Sequence, residues 1–257
     1  MNKRLVIISD YGTGDPAFAE VSVRFLNFLD NLSILPISTP PFSTINTGFW
    51  ISQVALAPVK DTYIFSNTAP RKDDKKAQKN NKGEKLMYAK LKNGFEIMAI
   101  NSGYCFSFVK PFISEFRFIE VSNEGSQFRS RDNYPQVVAK IIKGDKKVLG
   151  EKLDISTIPD VPKNRIASID GYGNIKTTIR LSELKFKPGQ KLLIKLNNRR
   201  HQVTFSDGVF NIMEGETAFA PGSSGYDDRL MEIFVRGGSA YEHFGRPFVE
   251  DTFEIKS

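Results

Sequence analysis

Very little in this chain lends itself to thiol or metal chemistry. Among its 257 residues there is one cysteine, Cys105. No internal disulfide can form, and nothing points to an oxidising compartment. The only histidines, His201 and His243, do not stand in a metal-ligand spacing. No Ser-His-Asp or Cys-His arrangement can be drawn, and Cys105 reads as a small core residue. The expectation is therefore no metal and no resident cofactor. No apolar run approaches the roughly eighteen residues of a membrane span. Met1-Asn2-Lys3-Arg4 leads straight into an apolar stretch and is too short for a signal peptide, so a cytoplasmic location is expected. There is no internal repeat.

The net charge of +7 invites a nucleic-acid reading, but the charge is local. Residues 71–92 hold nine bases against three acids, which accounts for six of the seven net positive charges. The densest part, PRKDDKKAQKNNKGEK, is almost free of apolar residues and reads as a solvated loop. No aromatic side chain is interleaved there to stack bases, so nucleic-acid binding is the poorer reading.

What is present has the texture of two domains. Leu5–Ile8 is a short unbroken apolar run, as in a strand covered on both faces. After the turn Ser9-Asp10-Tyr11-Gly12-Thr13-Gly14, Asp15 is a helix N-cap and Pro16 a first helical residue. Phe18, Val21, Phe25, Leu26 and Leu29 then recur at helical spacing. Further strands are expected at Ile34–Ile37, Thr62–Asn67, Leu86–Leu91, Phe95–Ile100 and Phe116–Val121. Helices are expected from Thr44 to before Pro58, from Tyr104 to Phe112, and over Arg131–Ile142. Asn93-Gly94 is a strong hairpin signal. This alternation predicts an α/β domain with a mostly parallel sheet over 1–148. An irregular linker is expected at 149–164. Short strand candidates at Arg165–Asp170, Ile175–Arg180, Lys191–Leu196, Gln202–Phe205, Thr217–Phe219 and Leu230–Val235 then predict a small all-β antiparallel barrel over 165–257.

Four polar turns each combine Gly with Asp, Asn or Ser: Ser9-Asp10-Tyr11-Gly12, Asn101-Ser102-Gly103, Asp170-Gly171-Tyr172-Gly173-Asn174 and Ser223-Ser224-Gly225-Tyr226. Glycine lets backbone approach a ligand closely while its neighbours supply hydrogen bonds. Asp10, at the carboxyl end of the first strand, is either a turn former or a carboxylate placed to accept two ribose hydroxyls. Asp170–Asn174 taken alone is equally a tight turn.

The order of these segments resembles the S-adenosylmethionine hydroxide adenosyltransferases (adenosine-forming hydrolases) and the related fluorinase and chlorinase. The segments IISDYGTGDPAFAEVSVRF, TPPFSTINTGFW, INSGY, QFRSRD, VLGEKLD, IASIDGYGNIKTTI, SSGY and EIFVRGGSAYEHFG carry the resemblance over nearly the whole chain. It implies a homotrimer whose ligand lies between one subunit's N-terminal domain and its neighbour's C-terminal domain. It also implies that Asp10 holds the ribose hydroxyls and Phe42 forms apolar wall. Asp170 would face the methionine ammonium, and Ser223 the methionine carboxylate, with Ser224 in the same turn. Tyr172 would pack on the adenine, while Asn174 and the backbone at Gly237 would read its edge.

The chain departs from that family where the nucleophile is chosen. The family's Asp, in an Asp-Pro-Gly turn, corresponds to Ala69 beside Thr68. Its Arg has only Lys75 or Lys76 standing nearby, and its His falls at Ser130 in Phe128-Arg129-Ser130-Arg131-Asp132. The fluorinase has a serine at this last place, but its Tyr and Thr are not matched by Ala69 and Lys72. The implied reaction is hydrolysis of S-adenosylmethionine to adenosine and methionine by water attack at ribose C5′. Ser130, Arg129 and Thr68 are its candidate catalytic residues, and S-adenosylmethionine is substrate rather than cofactor. The alternative is a non-catalytic protein that binds S-adenosylmethionine or adenosine; a halogenase fits less well.

Overall fold

Alternate residues of the first apolar run face opposite ways, and both faces are buried. In β1 (Lys3–Ser9), Leu5 and Ile7 enter one hydrophobic cluster while Val6 and Ile8 enter another. That is the period of a strand covered on both sides. The computed structural model describes residues 2–57, 59–72, 75–76, 83–208 and 211–256. These form two compact units, Met1–Asp160 and Val161–Ser257.

In the first unit β1 is followed by α1 (Pro16–Leu26), β2 (Leu32–Ser38), α2 (Thr44–Ala55), β3 (Thr62–Asn67), β4 (Leu86–Leu91) and β5 (Glu96–Ile100). Then come β6 (Ile113–Ile119), the short α3 (Arg129–Asp132), α4 (Tyr134–Ile142) and β7 (Leu149–Lys152). The Asp15 side chain accepts the Ala17 N–H at 2.7 Å, capping α1 as its sequence requires. Val21 and Phe25 of α1 and Val138, Ile141 and Ile142 of α4 cover one face of the sheet. Ile51 and Ala55 of α2, with Cys105, Phe106 and Val109, cover the other.

The strand order is β2-β1-β3-β5-β4-β6-β7. β1 is parallel to β2 and β3, and β3 is parallel to β5. The remaining ladders, β4 with β5, β4 with β6 and β6 with β7, are antiparallel. The sheet is mixed, not mostly parallel. The Asn93-Gly94 turn explains this, because a tight hairpin reverses the chain; Gly94 has φ +87° and the Asn93 side chain accepts the Phe95 N–H. Pro36 lies in β2, an edge strand, where a missing N–H is tolerated. Leu149–Lys152, the start of the expected linker, is the other edge strand.

Three helix expectations change in detail. Ser43, not Thr44, caps α2. The expected helix at Tyr104–Phe112 is a series of i→i+3 turns ending in a 3₁₀ turn at Lys110–Phe112, with Pro111 unable to supply an α-helical donor. The helix over Arg131–Ile142 begins at Tyr134, since Pro135 cannot bond back to Arg131 and the chain restarts after Asn133. Pro58 and residues 73–74 and 77–82 of the basic segment lie outside the described residues. Among the described residues no helix is long and apolar enough to cross a membrane.

A Cβ at Gly48 of α2 would stand 2.4 Å from the Tyr104 carbonyl oxygen. Gly48→Ala is therefore expected to destabilise the protein by about 2 kcal/mol, through overpacking against backbone, despite alanine's better helix propensity. Urea unfolding of the variant, read by its midpoint, checks this.

The second unit contains β8 (Ile166–Ile169), β9 (Ile175–Arg180), β10 (Lys191–Leu196), β11 (Arg199–Phe205), β12 (Thr217–Pro221), β13 (Leu230–Val235), the short α5 (Ala240–His243) and β14 (Glu254–Lys256). They make a single sheet in the order β14-β10-β11-β12-β13-β9-β8. β11 and β12 are parallel and every other ladder is antiparallel. The sheet curls into a half-barrel, and a bridge between Arg165 and Thr252, with hydrogen bonds from Glu250 to Ile166 and from Arg165 to Glu250, links its two ends. The expected antiparallel barrel is a curled half-barrel, antiparallel but for the β11–β12 ladder. A parallel pair such as β11 and β12 needs more intervening chain than a tight turn, which joins antiparallel strands.

Candidate functional site

Because β1, β3 and β5 are parallel, their carboxyl ends share one edge of the first sheet. Ligands of open α/β sheets bind outside such an edge. Asp10, Asn67–Ala69 and Asn101–Ser102 all emerge there. A cavity of about 610 Å³ opens on this unit, and Asp10, Tyr11, Phe42, Asn67, Ala69 and Ile100 line one part of it. Arg71, Lys76, Glu84, Phe128, Arg129, Ser130 and Tyr134 line the rest.

Asp10 accepts the Phe42 N–H at 3.0 Å. That bond holds Phe42 at φ +62°, a left-handed conformation costly for a bulky residue, with its ring 60% exposed. Burial raises the Asp10 pKa above the ordinary aspartate value; the Phe42 N–H and the charge of Arg71 oppose the rise without cancelling it.

Ser130 is buried at the start of α3 and accepts a hydrogen bond from the Tyr11 hydroxyl at 2.5 Å. Asn67 Nδ2 donates to the same Tyr11 oxygen at 3.0 Å. Arg129 donates to the Glu84 carbonyl and to Asn123, and its guanidinium lies 5.5 Å from the centre of the Tyr134 ring. The Glu84 carboxylate accepts the Arg71 N–H at 2.7 Å and the Lys72 N–H at 3.3 Å, closing the start of the basic segment over this side.

Asp10, Phe42, Arg129 and Ser130 thus meet in one cavity. Thr68 does not join them. Its side chain is fully buried and shares a hydrogen bond of 2.8 Å with Thr47, which continues to Thr39 at 3.2 Å. The Thr68 carbonyl accepts the Ser102 hydroxyl. Thr68 ties β3 to α2 and to the turn after β5, so its place is structural. Sequence reasoning missed Tyr11, Asn67 and Glu84. Tyr11 and Asn67 each adjoin a residue singled out for its strand-end position, which was signal enough to include them. Glu84 carries no such signal, being an acid inside a basic run.

The second unit gathers a different set. Asp170 Oδ1 accepts the backbone N–H groups of Tyr172 and Asn174, each at 3.0 Å, and Oδ2 accepts Asn174 Nδ2 at 3.1 Å. Burial acts to raise the Asp170 pKa but is outweighed by the Asn174 hydrogen bonds and the charge of Lys176, so the pKa is lowered overall. Lys176 Nζ stands 3.5 Å from Asp170 Oδ2 and 2.6 Å from Glu232 Oε1. Glu232 also accepts the Ser223 N–H at 3.3 Å. A Cβ at Gly222 would fall 1.9 Å from Glu232 Oε1, so only glycine fits there. The Asp170 and Ser223 turns are therefore joined through Lys176 and Glu232, neither of which the sequence singled out.

Ser224 is buried beside Ser223, and its carbonyl accepts the Leu230 N–H. The loop after β13 abuts the same region. A Cβ at Gly173 would meet Ser239 Oγ at 2.0 Å, and Gly237 holds φ +75°. Tyr172 is 83% exposed. Among the described residues no three of His, Cys, Asp and Glu gather in a way that could hold a metal ion.

Comparison with protein-family models finds no match. By fold, the chain is similar to an uncharacterized conserved protein from Thermotoga maritima, with a TM-score of 0.76 at 18% identity over 98% of this chain and 100% of that one. A conserved hypothetical protein from Thermus thermophilus gives 0.69 at 17% identity over 99% and 100%. By sequence, the chain is similar to the (R)-S-adenosyl-L-methionine hydrolase of Methanocaldococcus jannaschii, with 25% identity over 205 residues, which are 76% of this chain and 74% of that protein.

Proposed function

We propose that the protein hydrolyses S-adenosylmethionine to adenosine and methionine. The carrying observation is the cavity at the carboxyl edge of β1 and β3, where a partly buried carboxylate, Asp10, stands across from the Ser130 hydroxyl and the Arg129 guanidinium. The distant relative named for this hydrolysis supports the reading. Asp10 accepts the ribose hydroxyls, and Phe42 shields the nucleoside from water. A water oxygen attacks C5′ as the C5′–S bond breaks, the bonding pair stays on sulfur as a neutral thioether, and the water proton leaves to solvent. The sulfonium is already an activated leaving group, so alignment and exclusion of bulk water carry most of the rate. Ser130 and Arg129 orient the attacking water. In the second unit, Asn174 and the backbone at Gly237 recognise adenine and Tyr172 packs on it, while Ser223 and Ser224 take the methionine carboxylate. A homotrimer sharing its sites between subunits belongs to the same proposal.

One observation favours a second reading. The Lys176 ammonium already sits between Asp170 and Glu232, where the ammonium of a methionine would have to pair. A site filled in this way suits adenosine better than the full sulfonium ligand, as in a non-catalytic nucleoside-binding protein. Chromatography of a long incubation with S-adenosylmethionine separates the two. Adenosine and methionine released in equal amounts is the expected result. Adenosine binding by calorimetry without any release would replace hydrolysis with the binding reading.

A further inference from the structure

We propose that Tyr11 is a positioning residue: it takes up the acceptor side of Ser130 and so turns the Ser130 proton into the cavity. The inference deepens the hydrolase reading and rests on it for its consequence, but the geometry is that of the first unit alone. Tyr11 follows Asp10 directly. Its ring is held edge-on by Phe18 at 5.2 Å and Phe128 at 6.1 Å, and its carbonyl accepts the Ser38 hydroxyl at 2.5 Å. The phenolic oxygen is therefore fixed in space before any ligand arrives.

The polarity of the hydrogen bonds around it follows from what each group can do. Asn67 Nδ2 has only protons to offer, so at 3.0 Å it donates to the Tyr11 oxygen. Ser9 gives its one proton to the Asn67 carbonyl at 2.6 Å. Tyr11 has a single proton; the Ser9 hydroxyl also acts on the phenol, but the proton is directed to Ser130 Oγ at 2.5 Å. Burial pushes the Tyr11 phenol up to about 12, so that proton is in place at neutral pH. Ser130 then accepts on one side and keeps its own proton for the other. Among the described residues that proton has no acceptor in the protein, and Ser130 lines the cavity.

The row Asn67→Tyr11→Ser130 is thus an oriented chain of donors ending at the cavity. Each donor polarises the next, which strengthens the last bond. Such an end holds an oxygen by its lone pair and cannot take a proton from it. Under the hydrolase reading, Ser130 donates to the attacking water, whose second lone pair stays free for C5′, and the released proton goes to solvent. A tyrosine that cannot donate would let the serine hydroxyl turn away, leaving the water unaligned while nucleoside binding is untouched.

Tyr11→Phe keeps the ring contacts and removes the donor. In the adenosine-release assay, kcat is expected to fall about tenfold with KM within twofold, the loss of one aligned hydrogen bond. Ser130→Ala is expected to lose as much, and the double variant no more than either single one. Losses that multiply, or a change confined to KM, overturn the proposal. Neutron diffraction from deuterated protein at neutral pH tests the same point without turnover. The Tyr11 deuteron should lie on the line to Ser130, with the Ser130 deuteron toward the cavity; a Ser130 deuteron aimed at Tyr11 overturns it. Absence of adenosine release from the unaltered protein would sink the hydrolase reading, while the neutron map would still decide for or against the role of Tyr11.

Discussion

Asp10→Ala is expected to lower adenosine affinity about a hundredfold. Under the proposed function two ribose hydroxyls bond to this one carboxylate; each bond is charge-assisted, and together they contribute on the order of 3 kcal/mol after exchange with water. The same substitution releases Phe42, because the carboxylate that accepts its N–H holds it in the left-handed conformation. Isothermal calorimetry of both proteins gives the ratio, and a loss of less than threefold would remove Asp10 from the site. The pH dependence follows from the same group. In the proposed role Asp10 must be ionised to accept the ribose hydroxyls, and its pKa is raised. Adenosine affinity should therefore begin to fall, on acidification, at a higher pH than the ordinary aspartate value of about 3.9 would give. In the fold itself the sign is opposite to that of a paired carboxylate. A raised carboxylate pKa means the folded protein holds its proton longer, so the contribution of Asp10 to stability declines as pH rises through that interval.

Lys176→Met is expected to destabilise the second unit by about 3 kcal/mol or more. Its ammonium is the partner of Glu232, and their side chains are only 12% and 9% exposed. Removing one member of a buried pair leaves the other charged and unpaired, which costs far more than the pair itself contributes. Asp170 loses a nearby cation as well. Since its folded pKa is lowered, Asp170 stabilises the fold above its unfolded value of about 3.9, and that contribution disappears as pH falls through the folded pKa. Without Lys176 the lowering shrinks, so the acid-sensitive part of the stability should shrink with it. Urea midpoints at neutral and acid pH measure both effects, and an unchanged neutral midpoint would show that the pair is dispensable. The variant also bears on function. An emptied place between Asp170 and Glu232 should improve binding of a ligand carrying an ammonium relative to adenosine, provided the unit still folds.

The chain's local chemistry carried much of this architecture. The unbroken apolar run Leu5–Ile8, the Asp15-Pro16 start of α1 and the Asn93-Gly94 turn are each short-range signals, and each produced the element expected. In the second unit the strand candidates from Arg165 to Val235 lie on observed strands. Strand β14 escaped notice because its three residues, Glu254–Lys256, hold one apolar side chain and acquire their conformation by pairing with β10. Strand direction was harder to read. A parallel neighbour and an antiparallel neighbour impose nearly the same local pattern, so the mixed character of both sheets shows only in the pairing.

The candidate site divides in the same way. The residue types at the turns were legible in the chain alone: Asp10 at the end of an apolar run and the glycines of the Asp170–Asn174 turn. Those follow from backbone constraints and from the identity of neighbours, both of which are local. Tertiary structure alone decided which of these groups meet. It buried Thr68 in a row of hydroxyls under α2, set Tyr11 against a serine 119 positions away, and placed Lys176 between two carboxylates. Contacts at that separation depend on the packing of whole elements, and no periodicity in the chain encodes where a side chain from one element ends beside another.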